Sequence, residues 1–176
     1  MKTLLYTISA YLGYQRHAKH YKGFGVHSPF VFHWLNHVLY EKDFFYAYQT
    51  LRTIRKELLS NKTEILIAGF GTSPARTTTI GEIAKKSATK QKYAELLFRI
   101  TNNTNAQYIV ELGTNIGLTT MHLAAANSQA NVITIEGEPS LCDIAKRNFK
   151  QHNLTNITTI QGDIDLMLPE VLGNLP

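Results

Sequence analysis

The stretch that most constrains this chain is Tyr108 to Ala126, which reads Y-I-V-E-L-G-T-N-I-G-L-T-T-M-H-L-A-A-A. It opens on a short apolar run, Tyr108-Ile109-Val110, with the β-branched character of a buried parallel strand. It closes on an alanine-rich apolar run, Thr119 to Ala126, with the composition of a helix. Between them stand Gly113, Gly117 and an acid, Glu111, at the strand's carboxyl end. Gly113 permits a sharp turn and the approach of a ligand to bare backbone. Gly117 lets the helix begin close to the strand. The helix start then presents unpaired N–H groups and the positive end of a dipole, a corner that suits a nucleotide-like ligand.

The spacing narrows that ligand. E-x-G-x-x-x-G-x-T departs from the G-x-G-x-x-G of dinucleotide sites, and the absence of G-K-[ST] excludes a P-loop. A carboxylate facing the loop repels a pyrophosphate and suits a cofactor bearing a cationic amino-acid group. Two more strand ends follow. Val132 to Ile135 ends at Glu136-Gly137, 25 positions after Glu111, where a carboxylate grips a ribose diol. Ile157 to Ile160 ends at Gln161-Gly162-Asp163-Ile164. The elements alternate as strand 108–112, helix 117–127, strand 132–136, helix 139–151, strand 157–161 and helix 165–172. This order predicts an α/β fold with a parallel sheet and helices on both faces.

These residues resemble motif I of the class I S-adenosylmethionine-dependent methyltransferases. The form E-L-G-T-x-x-G-x-T looks most like the O-methyltransferase branch related to the catechol and caffeoyl-CoA enzymes. The resemblance implies a Rossmann-like methyltransferase fold with S-adenosyl-L-methionine as cofactor. It implies that Glu111, Gly113 and Thr114 hold the methionine portion, and that Gly117 and Thr119 start the covering helix. Glu136 with Gly137 would take the ribose, and Asp163 with Ile164 the adenine amino group and ring. It also implies seven strands in the order 3-2-1-4-5-7-6, of which strands 1 to 3 are read here. The catalytic residues are expected on later strands, so none is assigned, and no metal ligand is assigned either. The expectation is therefore the cofactor-binding part of a longer enzyme. Otherwise the free edge of the first strand is covered by a partner, or filled by the apolar run near Ile65, because an open edge invites pairing.

The N-terminal part, 1–104, is expected to be a mainly helical extension, with the cofactor-binding half at 105–176. Leu4, Leu5, Ile8, Tyr11 and Leu12 share one helical face, interrupted by Thr3, Thr7 and Ser9, so an amphipathic helix is expected rather than a signal peptide. Ser28-Pro29 reads as a helix start for Pro29 to Tyr40. His33 and His37 lie four apart on it, a spacing able to hold a metal; a solvated helix face is the reading adopted. Asp43 to Leu59 continues helically. Ile65 to Ala68 leads into Gly69-Phe70-Gly71-Thr72-Ser73-Pro74-Ala75-Arg76, read as a loop between helices with Ser73-Pro74 starting the next one; an anion site beside Arg76 is the alternative. Ile80 to Ala84 and Tyr93 to Ile100 are helical, and Thr101 to Asn105 is a polar link. An H-S-P-F-containing aromatic extension and a Gly-Ser loop of this kind also occur in some bacterial methyltransferase-like proteins, which the chain resembles over roughly its whole length. No role is carried over from them.

Charge divides the chain. Residues 1–100 carry 15 Lys/Arg against 6 Asp/Glu, and residues 101–176 carry 3 against 7. The basic stretch from Arg16 to Lys22, interleaved with Tyr14 and Tyr21, has the composition of a nucleic-acid surface but belongs to no recognisable module. A non-catalytic interaction protein using that half is thus the alternative function; nucleic acid is not the expected partner. An NAD oxidoreductase is permitted by Glu136 and opposed by the missing fingerprint. The single cysteine, Cys142, forms no internal disulfide, lies in a helical pattern and reads as a core thiol, which fits a reducing, cytoplasmic compartment, and the resemblance implies a bacterial protein. The expected partners are a small-molecule methyl acceptor and a second copy at the open edge.

Overall fold

A computed structural model describes residues 2–17, 26–69 and 74–176. The chain forms two compact units, Met1–Asp43 and Phe44–Pro176. The boundary expected at 104/105 falls inside the second unit.

In the first unit, helix α1 spans Lys2–His17, with Tyr6, Ile8, Tyr11 and Leu12 exposed. Helix α2 spans Pro29–Trp34 and starts as the sequence requires: Ser28 is the N-cap, its hydroxyl accepting from Val31 N at 3.4 Å, and Pro29 occupies the first turn. It widens into a π-helical turn, Leu35–Leu39. The rings of His33 and His37 lie 4.6 Å apart, and His37 Nδ1 is 3.8 Å from Glu41 Oε2. No group of three His, Cys, Asp or Glu able to hold a metal occurs among the described residues. Lys19 to Lys22 and Gly23 to Gly25 lie outside those residues. No helix among them is long and apolar enough to cross a membrane.

The second unit begins with α3 (Tyr46–Ser60), which starts three residues later than expected. A β-hairpin follows: β1 (Glu64–Ile67) pairs antiparallel with β2 (Arg76–Thr79), Ile67 opposite Arg76. This corrects the expectation of a loop between two helices with a helix start at Ser73-Pro74. Pro74 and Ala75 belong to no regular element, Phe70 to Ser73 lie outside the described residues, and Arg76-Thr77-Thr78-Thr79 is a β-branched run that favours an extended chain. The hairpin base is pinned where Gly81 N donates to Asn61 O at 2.8 Å and Ile80 N to Thr63 O at 3.1 Å. β1 pairs with β2 alone and does not fill the open edge of the larger sheet.

Helix α4 (Ile80–Lys86) is capped by Thr79. Helix α5 (Gln91–Thr104) runs through the segment read as a polar link. Thr104 Oγ1 donates back to Ile100 O at 2.9 Å, which keeps a polar last turn helical, and Asn105 closes it at φ 50° in the left-handed region. From here the expected alternation holds. β3 (Tyr108–Leu112), α6 (Leu118–Ala126), β4 (Asn131–Glu136), α7 (Pro139–Gln151), β5 (Ile157–Gln161) and α8 (Ile164–Gly173) form a Rossmann-like α/β unit. The sheet is parallel in the order β3-β4-β5.

One sheet face, Ile109, Val132 and Ile157, packs beneath Leu123 and Ala124 of α6. A larger core joins Phe98, Ile116, Met121, Ile144 and Phe149 to the inner face of α3. The opposite sheet face is barer: Tyr108 and Leu112 are 41% and 49% exposed along the free edge of β3.

Candidate cofactor site at the carboxyl ends of the strands

The register sets the site. Leu112 lies opposite Ile135, and Glu136 opposite Gln161, so the three strands end in one row. Neighbouring strands are about 4.8 Å apart, so the acids that follow them are brought to one rim. The turns are tied to the sheet as well. Gly113 N donates to Ile135 O at 2.9 Å, and Gly162 N to Glu136 O at 3.0 Å.

Glu111 is a half-buried carboxylate. Its Oε2 accepts from the hydroxyls of Thr120 and Thr134, the latter at 2.8 Å, and Thr114 Oγ1 lies 2.6 Å from Thr134 Oγ1. Glu111 Oε1 takes no hydrogen bond from the described residues and is not buried. Burial pushes the Glu111 carboxyl up, the two threonine hydroxyls oppose that, and the charge of Glu136 adds to it. Thr114, expected to touch the cofactor, is 2% exposed and spends its hydroxyl beneath the turn. The sequence reading missed Thr120 and Thr134. Two hydroxyls on opposite sides of a strand-end acid were the available clue.

Stability carries the consequence. Glu111 holds its proton more tightly when folded, so above the ordinary carboxyl value of 4.5 the folded chain binds more protons than the unfolded one. Stability from this group therefore falls as pH rises from about that value through the raised one. Glu111→Gln keeps an acceptor for both threonines and removes the charge. It is expected to flatten that fall and to add about 1 kcal/mol at pH 7, the scale of one buried polar contact. Urea unfolding of both proteins between pH 4 and 8 measures it; parallel pH curves would refute the assignment.

The turn itself is open at one glycine and closed at the other. A Cβ built on Gly113, at φ 87°, meets nothing within 4 Å. Gly117, at φ 83°, is the N-cap of α6 and faces the ring of Phe149. Thr119 lies half-buried in the first turn of that helix. Between the glycines, Asn115 takes φ 53°, and its N–H donates to Glu136 Oε2 at 2.7 Å. Glu136 Oε1 accepts from Glu138 N at 2.9 Å. Each carboxylate oxygen of Glu136 thus holds one backbone donor and retains a second acceptor position. Gly137 follows it, half-buried. Asp163 caps α8, its Oδ1 accepting from Asp165 N at 2.8 Å, which leaves Oδ2 without a partner among the described residues; Ile164, next to it, is half-buried.

Cys142 is fully buried, and its thiol is pushed up by that burial, as befits a packed core residue rather than a nucleophile.

Residues 105–175 match the model of a family described as "Putative methyltransferase". No curated protein matches the chain. Among solved structures, it is similar to an O-methyltransferase from Bacillus cereus in complex with SAH: identity is 19%, over 79% of this chain and 52% of that one, with a TM-score of 0.50. It is similar to the O-methyltransferase TomG from Streptomyces achromogenes in complex with SAM, at 18% identity over 77% and 49%, with a TM-score of 0.50. Cofactor-bound Rv0187 from MTB aligns at 19% identity over 83% and 56%, also with a TM-score of 0.50. The chain spans about half the length of these structures. Residues 105–175 are thus similar to that methyltransferase family, and the chain carries the fold of these solved O-methyltransferases.

Proposed function

We propose that this chain binds S-adenosyl-L-methionine at the carboxyl ends of β3, β4 and β5 and serves methyl transfer, most simply to an oxygen of a small-molecule acceptor. The observation that carries the reading is the row of three strand-end acids, each with acceptor capacity still open, beside a positive-φ glycine with free space over its backbone. The donor set fits the group. Glu111 Oε1 is placed to meet a cationic α-amino group. Glu136 keeps acceptor positions for two hydroxyls of a ribose. Asp163 Oδ2 is able to accept from an exocyclic amine, with Ile164 as apolar neighbour.

When bound, the cofactor supplies an electrophilic methyl group on a sulfonium. The chain's own residues bind and orient: Glu111 neutralises the amino group, Gly113 clears the backbone approach, and Gly117 fixes the start of α6. Positioning of this kind lowers a barrier by removing orientational freedom before reaction. The part carrying it is 105–176, with 1–104 as a helical and hairpin extension. The single buried thiol fits a cytoplasmic setting, and the bare edge of β3 fits association with a second copy.

Calorimetric titration of S-adenosylhomocysteine into the 176-residue chain tests the reading. Saturable binding at one site is expected. A chain that is folded by circular dichroism and releases no heat of binding with either S-adenosylhomocysteine or S-adenosylmethionine would overturn it.

A further inference from the structure

Two residues beyond Glu136 stands a second acid, Glu138, which the methyltransferase pattern does not use. It is 5% exposed. Carboxylates are this deeply buried only when their oxygens are held, and these are. Oε1 accepts from Ser140 Oγ at 2.6 Å and from Ser140 N at 3.4 Å. Oε2 accepts from Gly69 N at 3.2 Å. Burial works against the charge, yet the Ser140 hydroxyl and the backbone N–H groups of Ala68, Ser140 and Gly69 together hold the Glu138 carboxyl below its usual range. A single hydrogen-bonded anion therefore joins the end of β1 to the start of α7, across 69 residues of sequence.

The backbone of the same residue faces the cofactor rim. Glu138 N–H donates to Glu136 Oε1 at 2.9 Å. Ser140 Oγ also lies 2.8 Å from Leu66 O, so the serine has strand β1 on one side and Glu138 on the other. Its one proton serves either acceptor, and the clamp persists in both cases.

Capping alone does not account for this residue. Glu138 is the N-cap of α7, but the favoured caps are Asn, Asp, Ser and Thr. Those shorter side chains satisfy the helix start. The additional methylene of glutamate is what reaches Gly69. Gly69 sits at φ 89°, a left-handed backbone that favours glycine at the point of contact.

We propose that Glu138 is a positioning residue of the cofactor site: it ties Ala68-Gly69, where the hairpin turn begins, to the ribose carboxylate Glu136, so that the end of β1 becomes one wall of that site. This rests on the function proposed above. It gives the hairpin a task, to hold the rim in its binding geometry from the side that the three-stranded sheet does not supply.

Three variants and one cycle test it. Glu138→Gln presents an amide donor where N–H groups now point. It is expected to weaken S-adenosylhomocysteine binding about tenfold in the wild-type background and less than threefold in a Glu136→Gln background, because the two residues act through one another. Glu138→Asp keeps a favoured helix cap and loses the reach to Gly69. It is expected to keep the melting temperature of the wild type and to bind as weakly as Glu138→Gln. Amide exchange at Ala68 and Gly69 is expected to slow on ligand binding in the wild type and to stay fast in both Glu138 variants. Restored binding in Glu138→Asp would mean that capping is the whole role and would overturn the proposal. So would independent, multiplicative effects of the Glu136 and Glu138 changes. A wild-type chain that fails to bind at all overturns the cofactor reading itself, which separates the two failures.

Discussion

Replacing Gly117 with alanine is expected to destabilise the Phe44–Pro176 unit by about 2–5 kcal/mol. Two costs combine. The residue sits at φ 83°, where an L side chain costs about 1–2 kcal/mol. The new Cβ would also fall 2.5 Å from Phe149 Cε1, 2.7 Å from Cζ and 3.3 Å from Ala145 Cβ. Phe149 is 5% exposed within the main core, so its ring cannot swing away, and overpacking of this kind costs about 1–3 kcal/mol. Gly113→Ala is the matched control. Its backbone angle is nearly the same, 87°, but nothing lies within 4 Å of the added carbon. Its stability cost should therefore stop at about 1–2 kcal/mol, the backbone share alone. Urea unfolding of the two variants separates conformational strain from packing. Equal losses at the two glycines would mean that Phe149 yields and that α6 is not seated against α7 as described.

That contrast shows what the sequence made legible and what it concealed. The local pattern of glycines and strand-end acids is a property of neighbouring residues, and it located β3, β4, β5 and the helices between them to within a residue or two. The assignment of both glycines to the turn was available from spacing, but their division of labour was not. Phe149, which decides it for Gly117, lies 32 positions further on and is brought in by helix packing. The same limit explains the hairpin. Ile65 to Ile67 and Thr77 to Thr79 are too short to show a period, and a proline ahead of Arg76 imitated a helix start. Only the pairing of the two runs makes them strands. The polar interior was also out of reach. Thr114, Thr120 and Thr134 converge on Glu111, directly or through one another, from three separate elements. His122 lies fully buried in α6, its Nδ1 2.7 Å from Leu118 O and its Nε2 without a partner among the described residues, in a helix read as an alanine-rich apolar run. Likewise no local pattern marks Glu138, whose partner Gly69 lies 69 positions away.

The largest effect on ligand binding is expected from Glu136→Ala, which should weaken S-adenosylhomocysteine binding about 100-fold. In the proposed site this carboxylate accepts both ribose hydroxyls. Hydrogen bonds to a charged acceptor contribute about 1.5–3 kcal/mol each, so losing two removes at least about 3 kcal/mol, and about 1.4 kcal/mol corresponds to a factor of ten. The substitution also frees the N–H groups of Asn115 and Glu138 from Oε2 and Oε1. Glu136 is only half-buried, so water replaces it at those donors and the stability loss should remain near 1 kcal/mol. Affinity should thus fall far more than stability. Glu136→Gln retains one acceptor oxygen and turns an amide donor toward one of the two N–H groups, which places it between the two proteins, at about a tenfold loss. Calorimetric titrations of all three, with melting temperatures measured alongside, give the comparison. If Glu136→Ala binds as tightly as the wild type while the wild type binds well, the ribose is not held at the end of β4. The two backbone donors on Glu136 would then be its whole purpose, and the acid would serve to shape the Asn115 turn rather than to grip a ligand.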